Sequence, residues 1–457
     1  MNLRQIAGFA FGSIGVAAVS LITVPLMAWY FKAEDIGKIS MLQIGVSFCL
    51  LLFSLGLDQA YVREYHDTSN KTGLFKACIM PGAALLLISL LALLIFDTEA
   101  LSSWLFGIKE PAYSALLATC FVTAFVGRFL ALILRMQERS WAFSISQLMP
   151  KIGFLAVLGV FIFQNNQLEL PQLLIAHTVA FMSVVVMFAW NTRDHWHAVS
   201  EPITGSKQLT LLQFGLPLVV SGGAFWGLIS LDRVFLKHYS GFEELGMYSV
   251  INSFAGVAIV LQNIFTTVWA PTAYKWNAEG ADTARFQKMV DRVLAAVVLV
   301  FGLAGMFSWV LTYLLPSKYH SGQYIIMACL VYPLLYSLSE TTGIGLGIAR
   351  KSAWSMISML MALSVNVGCN FLLVPMYGAA GAACATALSF LALLIFRTEL
   401  SSRCWIKFSK VKLYLVVLIC TSYSVIFSLF GIQLGVFGIF IWLGVFIISI
   451  FLIRAAR

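Results

Sequence analysis

Six ionisable residues stand inside long apolar runs of the sequence: the basic Arg128, Lys151 and Arg233, and the acidic Asp58, Asp232 and Glu340. A charge in hydrocarbon costs at least ~2.5–3.5 kcal/mol, so each needs a partner, water or a function. Arg128 precedes Arg135 by seven residues, which sets both on one helical face, and Lys151 follows Pro150, whose ring frees a backbone carbonyl. Arg63 lies one short turn beyond Asp58. Together Arg63, Arg128 and Lys151 form a cationic ladder in the first half of the chain, where an anion would bind. Glu340, seven residues after Pro333, has two open roles: an ion pair between the halves of the molecule that closes one state, or a carboxyl that takes up a proton. Asp232-Arg233, at the outer end of its run, reads as a snorkelling or gating pair rather than a substrate contact. His177 reads as a hydrogen-bonded packing residue.

Bond-making chemistry finds little support. Seven of the eight cysteines lie in apolar runs, Cys404 lies in a basic stretch, and no CxxC occurs, so neither disulfides nor a metal site is expected. There is no Walker A sequence; Gly343-Ile344-Gly345-Leu346-Gly347 follows no strand and reads as close helix packing, as do Gly8–Gly12 and Gly431–Gly435. No cofactor is implied.

The elements that must position the charges follow from composition. The 457 residues are 60% hydrophobic and 11% charged, with mean hydropathy +0.90. Soluble domains sit near ~45–50% and ~25%, so a water-soluble multidomain enzyme is excluded. The apolar runs fall near 7–31, 39–58, 75–96, 112–134, 141–163, 172–190, 210–236, 246–270, 289–313, 323–348, 353–374, 378–397, 413–430 and 433–453. Each is long enough for a helix across a bilayer, which predicts an all-α polytopic membrane protein with fourteen spans, the first retained rather than cleaved. With the N-terminus inside, 21 Lys and Arg fall in inner loops and ends and five in outer loops; by the positive-inside rule both termini are expected in the cytoplasm. That topology absorbs most of the net charge of +9, leaving no case for nucleic-acid binding.

The chain is written twice. Glu34-Asp35-Ile36-Gly37-Lys38-Ile39-Ser40 returns 209 residues later as Glu243-Glu244-Leu245-Gly246-Met247-Tyr248-Ser249, and Arg139-Ser140 returns 212 residues later as Lys351-Ser352. Six spans intervene, so the halves share one orientation, as in parallel-repeat transporters. The expected organisation is a first lobe over 1–200, a second over 201–400 and two extra helices over 401–457. Gln43, Ser47, Ser54 and Asp58 have the spacing of one helical face, and adding 209 gives Asn252, Gly256, Asn263 and Thr267 in the other lobe. Two matched polar stripes suggest the facing walls of a wet cleft. Trp226, Tyr332 and Tyr336 lie deep enough to stack on sugar rings.

Gly56-Leu57-Asp58-Gln59-Ala60-Tyr61-Val62-Arg63-Glu64-Tyr65, Phe214-Gly215-Leu216-Pro217-Leu218 and Leu231-Asp232-Arg233-Val234-Phe235-Leu236 with Glu244-Leu245-Gly246-Met247-Tyr248-Ser249 resemble segments of Wzx-type flippases. These form the polysaccharide-export branch of the multidrug/oligosaccharidyl-lipid/polysaccharide superfamily. The resemblance covers roughly residues 1–400 and implies a MATE-like two-lobe fold in a bacterial inner membrane. It implies flipping an undecaprenyl-pyrophosphate-linked oligosaccharide to the periplasmic leaflet by alternating access, for O-antigen or a related surface polysaccharide. A polysaccharide polymerase and a chain-length regulator would be its partners. The implied cavity is cationic, in agreement with Arg63, Arg128 and Lys151, while Glu340 departs from that pattern. The rivals are a lipid II flippase, a cation-coupled drug exporter, which would want an acidic pocket, and a membrane glycan polymerase or ligase, which would need a large outer loop.

Overall fold

A backbone in hydrocarbon must satisfy its own hydrogen bonds, and the helix does so within one segment. The computed structural model, which describes residues 3–164, 168–193, 205–407 and 409–455, is helical throughout, with no strand among the described residues. In chain order the helices are α1 (Leu3–Tyr30), α2 (Ala33–Phe53), α3 (Leu57–Glu64), α4 (Lys71–Phe96), α5 (Ala100–Phe106), α6 (Pro111–Met136), α7 (Ser140–Phe163) and α8 (Leu170–Asn191). There follow α9 (Gly205–Tyr239), α10 (Gly241–Ala278), α11 (Thr283–Phe307), α12 (Leu311–Leu314), α13 (Gly322–Ile348), α14 (Ser352–Cys404) and α15 (Val411–Ala455).

Among the described residues, twelve segments are long and apolar enough to cross a bilayer, against fourteen expected spans. The difference arises at two places. The described apolar part of α1, Ile14–Tyr30, is shorter, and α14 is one run of 53 residues. At 1.5 Å per residue α14 is about 80 Å long, far more than a ~30 Å hydrocarbon core, and Gly378 breaks it with φ 51° and ψ −126°. The first amide past that break, Ala379 N–H, donates to Glu244 Oε2 at 2.9 Å. In α15 the break falls at Gly435 (φ 51°, ψ −136°), so this glycine is a bend rather than the packing residue expected of it. Gly431, by contrast, does pack, against the Tyr324 ring.

The chain forms two compact units, residues 1–23 with 30–223 and residues 24–29 with 224–457. In unit 1, α6 packs on α2 and α8, α7 on α8, and the short α3 on α4 and α6. In unit 2, α13 is almost wholly buried along α14, α10, α15 and α11, and the C-terminal α15 lies on α11. Small residues permit these approaches: Gly345 faces Ser401 and Trp405, and Gly347 faces the Tyr274 hydroxyl, the close packing expected of that glycine run. Gly12 lies against Ser144 in the same way.

The repeat is visible in the backbone. Glu138 (φ 56°) and Arg350 (φ 55°) both take the left-handed conformation, immediately before the caps of α7 and α14. In the first turn Arg139 N–H donates to Leu134 O at 3.1 Å, and in the second Lys351 N–H donates to Leu346 O at 2.8 Å. These pairs are 212 residues apart. The acidic pairs Glu34-Asp35 and Glu243-Glu244 likewise open the first turns of α2 and α10, where they complement the helix dipole.

The α11–α15 contact rests on Trp442, fully buried and stacked on Phe301 at 6.3 Å between ring centres. A Cβ added at Gly305 would fall on the indole ring of Trp442. Gly305→Val is therefore expected to destabilise the detergent-solubilised protein by at least about 1–3 kcal/mol, the range for overpacking, read as a fall in its thermal unfolding midpoint. At Gly159 a Cβ meets nothing within 4 Å, and Gly159→Ala is expected to hold or raise that midpoint.

Candidate functional site

The first cluster is built by a break in the chain. Ser54 caps α2, then Leu55 (φ 54°) and Gly56 (φ 68°) both turn left-handed before α3 begins at Leu57. Leu55 has a Cβ, so this conformation costs it roughly 1–2 kcal/mol. The turn meets α9 backbone to backbone: a Cβ on Gly56 would overlap the Gly215 carbonyl oxygen, and one on Gly215 would reach Leu55 O at 2.5 Å. The single helical face expected for Gln43, Ser47, Ser54 and Asp58 is therefore broken before its last member. Gln43 is exposed on α2 and Ser54 is buried at its end, with its hydroxyl donating to Leu51 O at 3.5 Å.

Asp58 begins a new helix at another angle, and there it meets Arg128. Arg128 Nη2 lies 2.9 Å from Asp58 Oδ2, with the arginine side chain 46% exposed and the aspartate 10%. Gln59 Nε2 donates to the same carboxylate oxygen at 3.0 Å. Arg63, on the same short helix, stacks its guanidinium 4.3 Å from the centre of the Phe214 ring and sits 3.6 Å from Glu64. Lys151 is half-buried on α7 with no ion-pair partner among the described residues. Two rungs of the expected cationic ladder thus have carboxylates beside them, Arg128 with Asp58 and Arg63 with Glu64, and an anion reaching Arg128 has to compete with Asp58.

In unit 2, Asn252, Asn263 and Thr267 lie on the unbroken α10. Asn252 is half-buried; Asn263 and Thr267 are exposed, and the Thr267 hydroxyl donates to Asn263 O at 2.8 Å. Gln262, buried beside them, donates to Asn263 Oδ1 at 3.3 Å and leaves its own Oε1 without a partner. Glu340 does form an ion pair, but within unit 2 rather than between the halves: Arg397 Nη1 lies 2.5 Å from Glu340 Oε1, with 11% and 22% of the two side chains exposed. Arg397 belongs to α14, which continues seven residues past it to Cys404. Asp232 does not snorkel either. It is 2% exposed, accepts from the Tyr248 hydroxyl, from the Arg233 amide at 2.8 Å and from Thr386 Oγ1 at 3.5 Å. Arg233 is half-buried next to it, with Nε lacking a partner. Tyr332 and Tyr336 pack around Phe390, at 4.4 and 6.2 Å between ring centres. His177 bonds to Leu173 O through Nδ1 at 3.0 Å, inside its own helix.

Sequence reasoning missed Arg397, Gln59, Phe214, Tyr248 and Thr386. For Arg397 a signal existed, since a lone membrane carboxylate demands a base and Arg397 lies on the neighbouring helical run. Tyr248 and Thr386 carry no charge, and nothing in their spacing sets them apart from ordinary packing residues.

Helices broken and paired in this way define a class. The chain superposes on a structure described as lipid II flippase MurJ in an inward closed conformation with a TM-score of 0.68, 13% identity and 98% of each chain covered. It also superposes on an inward-facing multidrug resistance MATE family transporter of the MOP superfamily with a TM-score of 0.57, 15% identity, and 88% of this chain and 94% of that one covered. Identities this low establish the fold, which is the expected MATE-like two-lobe arrangement. The family follows from sequence: residues 3–277 match the model of the polysaccharide biosynthesis protein family, and the chain belongs to it. The succinoglycan biosynthesis transport protein ExoT of Rhizobium meliloti (strain 1021) is 23% identical over 261 residues, 56% of this chain and 50% of that protein. The chain spans about half the length of this curated relative. Family and fold agree with the resemblance to Wzx-type exporters of the MOP superfamily.

Breaking a paired charge costs more than removing the pair, because the abandoned group keeps its desolvation penalty. With Asp58 nearly buried and Arg128 half in solvent, Arg128→Gln is expected to destabilise the protein by about 1–3 kcal/mol, below the range for a fully buried pair. The Asp58→Asn/Arg128→Gln double variant should recover most of that loss. A double-mutant cycle on thermal unfolding midpoints reads the coupling, and additive effects would show that the pair contributes nothing.

Proposed function

We infer that the protein is a flippase that carries an undecaprenyl-pyrophosphate-linked oligosaccharide from the cytoplasmic to the periplasmic leaflet of a bacterial inner membrane by alternating access. In this reading it has fourteen spans with both termini cytoplasmic, serves O-antigen or a related surface polysaccharide, and hands its cargo to a polymerase and a chain-length regulator. The observation that carries it is the Asp58–Arg128 pair, a guanidinium nearly half exposed and held by a single carboxylate, in a chain of a polysaccharide biosynthesis family.

A pyrophosphate offers Arg128 more acceptor oxygens than Asp58, which holds it through one nitrogen, and can replace it as a bidentate partner. Lys151, free of an ion-pair partner among the described residues, and Arg63 add charge on the same unit. Gln43, Ser54, Asn252, Asn263 and Thr267 supply amides and hydroxyls that exchange with those of sugars. Asp232, Arg233 and Glu340 are held in pairs or networks that a change of state would have to remake, which fits a gating role. With an interior-negative membrane, outward movement of an anion is favoured by ~2.3 kcal/mol per charge per 100 mV, so no ATPase is needed. The names of the structural neighbours would allow a lipid II flippase or a cation-coupled exporter. The basic groups of unit 1 disfavour the exporter, and the polysaccharide family disfavours the lipid II flippase.

Arg128→Ala and Lys151→Ala are each expected to abolish export of the surface glycan in a strain depending on this gene. The Asp58→Asn/Arg128→Ala double variant should regain membrane protein level without regaining export, which separates transport from folding. Normal surface glycan in the single variants, assayed by gel profile of extracted polysaccharide, would remove Arg128 and Lys151 from the substrate path.

A further inference from the structure

Away from the Asp58–Arg128 pair, unit 1 has an open cleft of about 500 Å3, within the ~300–1,000 Å3 range of small-molecule sites. One wall is the α3–α4 connection, with Tyr65, His66, Lys71 and Thr72; the other is the α6–α7 turn, with Met136, Gln137 and Glu138. Both connections belong to the Lys- and Arg-rich set read as cytoplasmic.

The first wall is built for an anion. Tyr65 is 4% exposed and lines the cleft. The Lys71 ammonium is held over the Tyr65 ring at 4.6 Å, and the His66 ring stands edge-on to the same phenol at 5.3 Å. Lys71 and Thr72 open α4, whose first turn has no acidic residue and whose cap, Asn70 Oδ1, takes the Gly73 amide at 2.7 Å. Burial pushes the Tyr65 hydroxyl above the usual phenol range, so it stays a donor.

The second wall is different. Glu138, exposed and held in the left-handed conformation by the turn hydrogen bonds, puts a carboxylate at the rim where the equivalent turn of unit 2 has Arg350. A bare phosphate gains nothing from Glu138. A phosphate attached to a hydroxyl-bearing ring satisfies both walls, its oxygens accepting from Lys71, His66 and Tyr65, its hydroxyls donating to Glu138 and Gln137.

We propose that this cleft binds a glycosyl phosphate, as a docking subsite for the sugar-phosphate portion of the cargo at the cytoplasmic rim. This rests on the flippase reading given above. A phosphatidylglycerol headgroup has the same phosphate-plus-hydroxyl chemistry, and the test separates the two sources.

The full-length protein in phosphatidylcholine nanodiscs is titrated with N-acetylglucosamine 1-phosphate, followed by phosphorus NMR line broadening. Lys71→Gln and Tyr65→Phe should each weaken binding by about five- to tenfold, the loss of one charge-assisted or neutral hydrogen bond. Glu138→Gln should weaken binding of the sugar phosphate but not of inorganic phosphate. Displacement by nanodiscs containing phosphatidylglycerol assigns the site to bilayer headgroups; persistence of binding assigns it to the carried glycan. Equal affinity in wild type and Lys71→Gln, with unfolding midpoints unchanged, would overturn the proposal, as would a Glu138→Gln effect identical for both ligands. Thr72→Val, which keeps the side-chain volume, stands in if Tyr65→Phe fails to fold. Because the readout is binding and not export, failure here leaves the flippase reading standing.

Discussion

A charge cannot enter hydrocarbon alone, and the three acidic residues of the apolar runs are settled in three different ways. Arg128 and Asp58 settle by pairing, with the arginine still open to solvent. Glu340 and Arg397 settle by pairing under deeper cover. Asp232 settles by hydrogen bonding, to a phenol, a backbone amide and a hydroxyl. These arrangements differ in how easily they can be undone. The first has a partner that an incoming anion can replace with little extra desolvation, whereas the other two are enclosed, and opening them exposes groups with no nearby substitute. In the proposed flippase reading, substrate contact belongs with the first, and the others with the integrity of unit 2 or with its change of state.

The membrane also dictates where the chain is allowed to stop being helical. The breaks at Leu55-Gly56, Gly378 and Gly435 each release amides and carbonyls that lipid would not satisfy. At Leu55-Gly56 the freed backbone is laid against the backbone of Gly215, with no side chain between. That close approach explains why the two glycines occur in the motifs Gly56-Leu57-Asp58 and Phe214-Gly215-Leu216-Pro217, and why Phe214 comes to lie under Arg63. The turn aims Asp58 at α6, so the site depends on a backbone contact more than on the acid itself.

Much of this was legible in the sequence, for physical reasons that differ by level. Apolar run length reports helices, since only a helix crosses lipid, and the 209- and 212-residue offsets reported a repeat that the turns at Glu138 and Arg350 carry down to single hydrogen bonds. The charged residues of the site were visible because their cost is large. Their partners were less so. Asp58 was placed on the face of α2 because spacing assumes that a helix continues, and a left-handed Leu55 gives no compositional warning. The sequence leaves Glu340 open between a pair across the halves and a proton carrier, because spacing along the chain does not say that Arg397 on α14 lies beside it. Whether Gly431 and Gly435 pack or bend could not be separated from their spacing, for a glycine serves either purpose.

The contact between Glu244 and Ala379 bears on the order in which the protein is made. A helix that starts inside a membrane protein presents bare amides and the positive end of its dipole, and these must be met as soon as it forms. The ribosome delivers Glu244 well over a hundred residues before Gly378, and chains settle from the N-terminal side as they emerge. The acceptor for the newborn helix is thus already in place on α10 when its donor leaves the exit tunnel. The carboxylate that meets the start of the second half of α14 is always synthesised before the helix end it caps.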